Sequence, residues 1–175
     1  MRPSEVLRRA RESSVKIRKL TETKEILRAL VGMQGHSSSF HSKNEIYDWT
    51  SRIDECDTKC REIDNEIEGC RQDIDQCWRI IYAMQLRETR LVDNALEQEA
   101  SDKRESLFEE ADAIALAVIV ITDWCIYGRD IAQIAERCTI TPKECDNIIK
   151  ATYVWCDEQG MACLRTSIEH RLYGI

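Results

Sequence analysis

Apolar residues recur along the middle of this chain with a period of seven. From Asn44 to about Glu99, Ile46, Ile53, Cys60, Ile67, Ile74 and Ile81 form one series. Trp49, Cys56, Ile63, Cys70, Cys77, Met84 and Leu91 form its companion. An apolar side chain at every a and d position over six heptads predicts a long helix packed in coiled-coil fashion. Three of the companion positions are Cys, whose small side chains predict a narrow seam there. An earlier segment, Ser4 to Val31, carries Val6, Ala10, Ile17, Leu20, Leu27 and Val31 at alternating steps of three and four. Ser13 and Lys24 are the polar members of that seam, and Ser4 suits its N-cap. Gly32 and Gly35 predict its end, and the polar run His36 to Lys43 predicts a linker.

Charge changes this picture from two helices to a hairpin. Residues 1–35 hold nine Lys or Arg against four Glu, whereas residues 42–100 hold fifteen acids against eight bases. A basic helix joined by a short linker to an acidic one predicts an antiparallel pair. At about 1.5 Å per residue the first spans roughly 40 Å and the second roughly 80 Å. About half of the longer seam therefore needs another cover, either the C-terminal domain or a second copy. The expectation favours a second copy, through Ile46, Trp49, Ile53, Ile63, Ile67, Ile74, Ile81 and Met84, because a long exposed apolar seam is unstable in a monomer.

Beyond the heptads, the charged stretch Glu97 to Glu110 reads as a connection to a last domain of four helices. These are expected near Leu107–Tyr127, Asp130–Cys138, Pro142–Glu158 and Met161–Leu172. The apolar run Ile114 to Ile126 is too short to cross a bilayer, and the polar N-terminus carries no signal-peptide pattern. Gln133 to Thr152 fits a helix-turn-helix. Ile134, small Ala135 and Cys138 make the inner face of a first helix, and Thr139 and Ile140 form the turn. Thr141 caps a second helix that begins with Pro142, the first-turn position that tolerates proline. Cys145, Ile148 and Ile149 turn inward, leaving Thr141, Lys143, Asn147 and Lys150, with Arg137 from the first helix, as the DNA-binding candidates. Asn147 has the chemistry to pair with an adenine edge, and the cations suit phosphates.

Other chemistry is not supported. No nucleophile–base constellation, phosphate-cradling Gly loop or carboxylate pair predicts an enzyme, and no cofactor is implied. Nine cysteines, an odd number with no Cys-x-x-Cys spacing, read as reduced and buried rather than as a disulfide framework or a metal site. Cys56 and Cys60 stand one turn apart, but on the seam and with no neighbouring His. Between Arg129 and Lys150 four basic residues meet four acidic ones, so the motif is electrically neutral in a chain of net charge −7. Since duplex affinity rests largely on phosphate neutralisation, that predicts weak DNA binding without help.

The order of parts resembles a family. Glu5-Val6-Leu7-Arg8-Arg9-Ala10-Arg11, the Ile53 to Ile81 heptads, and Ile131-Ala132-Gln133-Ile134-Ala135 with Ile140-Thr141 are similar to the RinA and ArpU type late-gene regulators of phages and prophages. Those proteins carry a helix-turn-helix like that of sigma-factor region 4. The resemblance implies an all-α fold with two domains. A coiled-coil hairpin occupies 1–100 (helix 4–31, linker 32–43, helix 44–99), and the helix-turn-helix domain occupies 101–175. It also implies a cytoplasmic, non-enzymatic regulator that contacts promoter DNA, bacterial RNA polymerase or both. The alternative is a structural or packaging protein, such as a small terminase-like subunit or a coiled-coil scaffold. No membrane partner is expected.

Overall fold

The computed structural model describes residues 2–37 and 43–160. The fold is all-α, with five α-helices, one π-helical turn and no strand among the described residues. Helix α1 spans Pro3–Ser37, α2 Lys43–Glu97, α3 Ser101–Ile121, α4 Ile131–Cys138 and α5 Pro142–Gln159; the π-helical turn is Thr122–Ile126. Among the described residues no helix is long and apolar enough to cross a membrane. The expected helix Met161–Leu172 lies outside the described residues.

The chain forms two compact units, Val15–Gln72 and the combination of Met1–Ser14 with Asp73–Ile175. The expectation placed a boundary near residue 100; the two units divide within α1 and α2. The reason is that a heptad series fixes which face of a helix is apolar, not which element covers it.

In the Val15–Gln72 unit the two helical segments run antiparallel. Lys16 pairs with Glu66 at 2.9 Å, and further along Lys24 pairs with Asp64. Four seam positions of α2 are buried here, Cys56, Cys60, Ile63 and Cys70, while Trp49, Ile53 and Ile67 are half-buried. Three of the four buried side chains are thiols, so little apolar volume is enclosed. The helix end expected at Gly32 is also corrected, since α1 continues through Ser37. Each interior Gly costs about 1 kcal/mol against Ala, a penalty that a long helix absorbs when no Pro follows.

In the larger unit, the start of α1, the second half of α2 and helices α3–α5 enclose one core. Leu7, Ile80, Ile81, Val120, Ile121 and Ile134 are fully buried in it. Fixing the start of α1, Ser4 donates its backbone N–H and its hydroxyl to Asp157 of α5, at 3.0 and 2.7 Å. That pairing holds the Asp157 carboxyl below its ordinary value, with Arg2 and Arg8 adding to the effect. Ser13 donates to Asp73 at 2.7 Å, and the Arg11 guanidinium lies 3.8 Å above the Trp124 ring.

Ile81 and Met84, two of the positions expected to meet a second copy, are buried in one core with Val118, Ile121 and Ile149 of the same chain. Glu97 to Glu110 is likewise corrected from a connection to a helical turn-over. Only Gln98, Glu99 and Ala100 separate α2 from α3, and Arg87 pairs with Glu110 across the two helices at 2.8 Å.

Candidate helix-turn-helix interface

Helices α4 and α5 fall where the residues place them, and each opens with a capping box. Asp130 accepts from the Gln133 N–H while the Gln133 side chain accepts from the Asp130 N–H. Thr141 and Glu144 do the same for α5, with Pro142 in its first turn. The two bonds that Thr141 gives, from its N–H at 2.8 Å and its hydroxyl at 2.7 Å, hold the Glu144 carboxyl below its ordinary range. Between the helices the turn tightens at Thr139, which adopts φ 58° and ψ 41°. Gly fits that left-handed position best; a β-branched residue there is strained. Thr139 also donates its N–H toward Glu136, and Ile140 donates to the Ala135 carbonyl at 3.0 Å. The last turn of α4 is thereby closed.

The two faces of α5 separate sharply. Cys145, Ile149, Thr152 and Cys156, at steps of four, three and four, are all buried. Lys143, Asn147, Lys150 and Val154 repeat those steps on the opposite side and are all exposed. Three of the DNA-binding candidates thus lie on one outward stripe. Thr141 stands apart from them, its side chain occupied by the cap.

Arg137 is placed differently from a freely available cation. Asp123, only 2% exposed, lies in the π-helical turn. It forms an ion pair with Arg129, and Arg137 Nε approaches its other oxygen at 3.1 Å. That second oxygen receives no aligned hydrogen bond, so the Arg137 contact is ionic. Burying a carboxylate beside two guanidiniums satisfies the rule that buried charge must be paired, and it leaves one net positive charge at the motif's entrance. Arg129 also lies 4.9 Å from the Tyr127 ring. Beside it Gly128 adopts φ +63°, and a Cβ there would stand 3.1 Å from the Ser14 hydroxyl. Lys150 pairs with Asp146 at 2.5 Å along α5. Among the described residues Lys143 pairs with no acid.

Sequence reasoning marked Gly128 and Arg129 as the break before the motif but missed the pairing of Asp123 with Arg129 and Arg137. One signal was present, a single carboxylate inside the apolar run Ile114 to Ile126. An acid in such a run must be neutralised by a partner, and two arginines follow within fourteen residues.

The seam positions named for oligomerisation divide into three states. Ile63, Ile81 and Met84 are buried within the chain, Trp49, Ile53, Ile67 and Ile74 are half-buried, and Ile46 is 48% exposed. Among the described residues, no cluster of three or more His, Cys, Asp or Glu side chains is arranged to hold a metal ion. Among the described residues eight cysteines form no disulfide, and burial pushes the thiols of Cys138 and Cys145 up. No family model, curated protein or solved structure matches this chain.

Proposed function

We propose that α4 and α5 form a DNA-contacting helix-turn-helix and that the protein is a transcriptional regulator of the phage late-gene kind. The outward stripe Lys143, Asn147 and Lys150 is the surface set against a major groove. The observation that carries this reading is the alternation on α5: one stripe buried, its opposite exposed and bearing two cations and an amide. Amide and ammonium groups one turn apart are suited to base edges and phosphates respectively.

Electrostatics favours a second protein in the complex. Of the four cations between Arg129 and Lys150, three are engaged by acids of the chain itself. The phosphate-neutralising charge left over is small, so affinity for DNA alone is weak. Bacterial RNA polymerase is the partner that supplies the remainder. The free cysteines fit a reducing compartment, which for this reading is the bacterial cytoplasm. The test is selection from a pool of random duplexes, with and without host polymerase. The expected result is one enriched sequence family, strongest with polymerase present and lost in Asn147→Ala. Enrichment that survives Asn147→Ala and Lys143→Ala together contradicts the reading.

A second reading, an adaptor or packaging scaffold, is favoured by the Val15–Gln72 unit. Ile26, Leu30, Ile46 and Tyr47 are apolar there and 48–80% exposed. These positions, rather than Ile81 and Met84, are the ones available for self-association. Light scattering that gives a dimer in the parent and a monomer in Ile46→Asp with Tyr47→Ser supports self-association through them; a monomer in both removes it.

A further inference from the structure

Two guanidiniums meet one buried carboxylate at the entrance to the helix-turn-helix, and they hold it on unequal terms. Asp123 is almost wholly buried, so its charge must stay paired. Arg129 donates a hydrogen bond from Nη1 to Oδ1 of Asp123, and its side chain is only 33% exposed. The backbone ties the same two residues again, because the Arg129 N–H donates to the Asp123 carbonyl at 3.1 Å. Arg137 differs in each respect. Its Nε stands 3.1 Å from Oδ2, yet that oxygen receives no aligned hydrogen bond. Its side chain is 59% exposed and comes from the last turn of α4. An ionic contact from so exposed an arginine is weakly held. Among the described residues Asp123 is the one acid that pairs with Arg137.

We propose that Arg137 is an exchangeable cation, resting on Asp123 in the free protein and passing to a backbone phosphate when DNA arrives. The inference rests on the reading of α4 and α5 as a DNA-contacting motif. Charge arithmetic permits the exchange. Asp123 and Arg129 together sum to zero, so the departure of Arg137 leaves no buried charge unpaired. With Arg137 as sole partner the acid would be left bare, which is strongly unfavourable. Geometry gives the direction. A phosphate offers a guanidinium two parallel hydrogen bonds, whereas Oδ2 of Asp123 offers Arg137 none that is aligned. The first helix of a helix-turn-helix crosses the DNA backbone, and α4 is that helix here. Asp123 thus competes with phosphates for Arg137 without touching DNA. It lowers affinity for every duplex alike, because phosphate contacts carry no sequence information.

Arginine Nε resonances of the full-length protein, followed during titration with a random-sequence duplex at low salt, test the exchange. The Arg137 signal, identified by its loss in Arg137→Gln, should move while that of Arg129 stays. Arg137→Gln should weaken binding and make the salt slope shallower by about one unit. It should shift the melting temperature by less than about 2 °C, whereas Arg129→Gln should lower it by about 5 °C. Asp123→Asn should raise affinity about threefold; should it misfold, the two arginine variants carry the comparison. An Arg137 signal that stays while duplex binds, or a parent-like slope in Arg137→Gln, overturns the exchange and leaves the DNA reading standing. Equal melting losses in the two arginine variants make Arg137 a fixed structural partner and also overturn it. Failure of the parent to bind any duplex at low salt, with or without polymerase, overturns both.

Discussion

The same helix meets two different environments. Along Lys43–Gln72, α2 buries mainly Cys56, Cys60, Ile63 and Cys70, whereas along Asp73–Glu97 it buries Cys77, Ile80, Ile81, Met84 and Ala95. The heptads run through both stretches without a change of period. In the first the cover is one antiparallel helix and the buried side chains are mostly small thiols. In the second the core is shared with the start of α1 and with α3 to α5, and three of the five buried side chains, Ile80, Ile81 and Met84, are large. Periodicity thus specifies the buried face, and the size of the residues on it specifies how much that face contributes.

Substitution on the seam sharpens this contrast most. Ile81→Ala, at a fully buried position, should cost about 3 kcal/mol, within the range for large-to-small core changes. Ile67→Ala, at a half-buried position on the same face, should cost about 1 kcal/mol, because less apolar surface leaves water there. Urea denaturation of both variants measures the difference, and equal costs would break the comparison.

Glycines divide the two regions with opposite signs. Gly128→Ala should destabilise by about 2 kcal/mol, since it forces a side chain into left-handed backbone and toward the Ser14 hydroxyl. Gly69→Ala should stabilise by about 1 kcal/mol, because it lies inside α2 with open space where the Cβ would go. Thermal unfolding reads both, and a shared sign would contradict the assignment.

The caps of the larger unit set a smaller effect with a pH signature. Thr141→Ala should cost about 1 kcal/mol near neutral pH. Glu144 and Asp157 both have folded-state pKa values below their ordinary 4.5 and 3.8. Depressed carboxylates contribute stability that is complete above those ordinary values and is lost as pH falls through the lowered ones. The loss of melting temperature from neutral pH to below pH 3.8 should therefore be smaller in Ser4→Ala with Thr141→Ala than in the parent. An unchanged loss would mean that the two caps do not carry it. Smallest of all is Thr139→Gly, expected to stabilise by about 0.5 kcal/mol, relief of the left-handed strain at φ 58° exceeding the added chain entropy. Loss of stability in that variant would show that the Thr139 side chain makes a compensating interaction.

Much of the helix-turn-helix was legible because its signals are local. Asp130 and Thr141 mark two starts, Pro142 fixes a first turn, and Cys145 with Ile149 sets the inner face. The outward stripe follows from those by geometry alone. What could not be read is set by residues distant in sequence. Ile81 and Met84 share their core with side chains such as Val118 and Ile149, and the partners of Asp123 lie in the next helix and the loop before it. Gly32 misled because a Gly weakens a helix without ending it, and its neighbours have no Pro to do so.

Central to this account is that the outward stripe of α5 meets DNA, and the salt dependence of binding tests that most directly. With an enriched duplex and a fixed concentration of polymerase, the logarithm of affinity should fall linearly with the logarithm of salt concentration for the parent. In Lys143→Ala with Lys150→Ala, folding should be unchanged, since both side chains are exposed. Affinity should drop, and the slope should become shallower by about one unit for Lys143, which no acid engages among the described residues, and by less for Lys150, which pairs with Asp146. Parent-like affinity and slope in the double variant would contradict the account and assign the stripe to a protein partner.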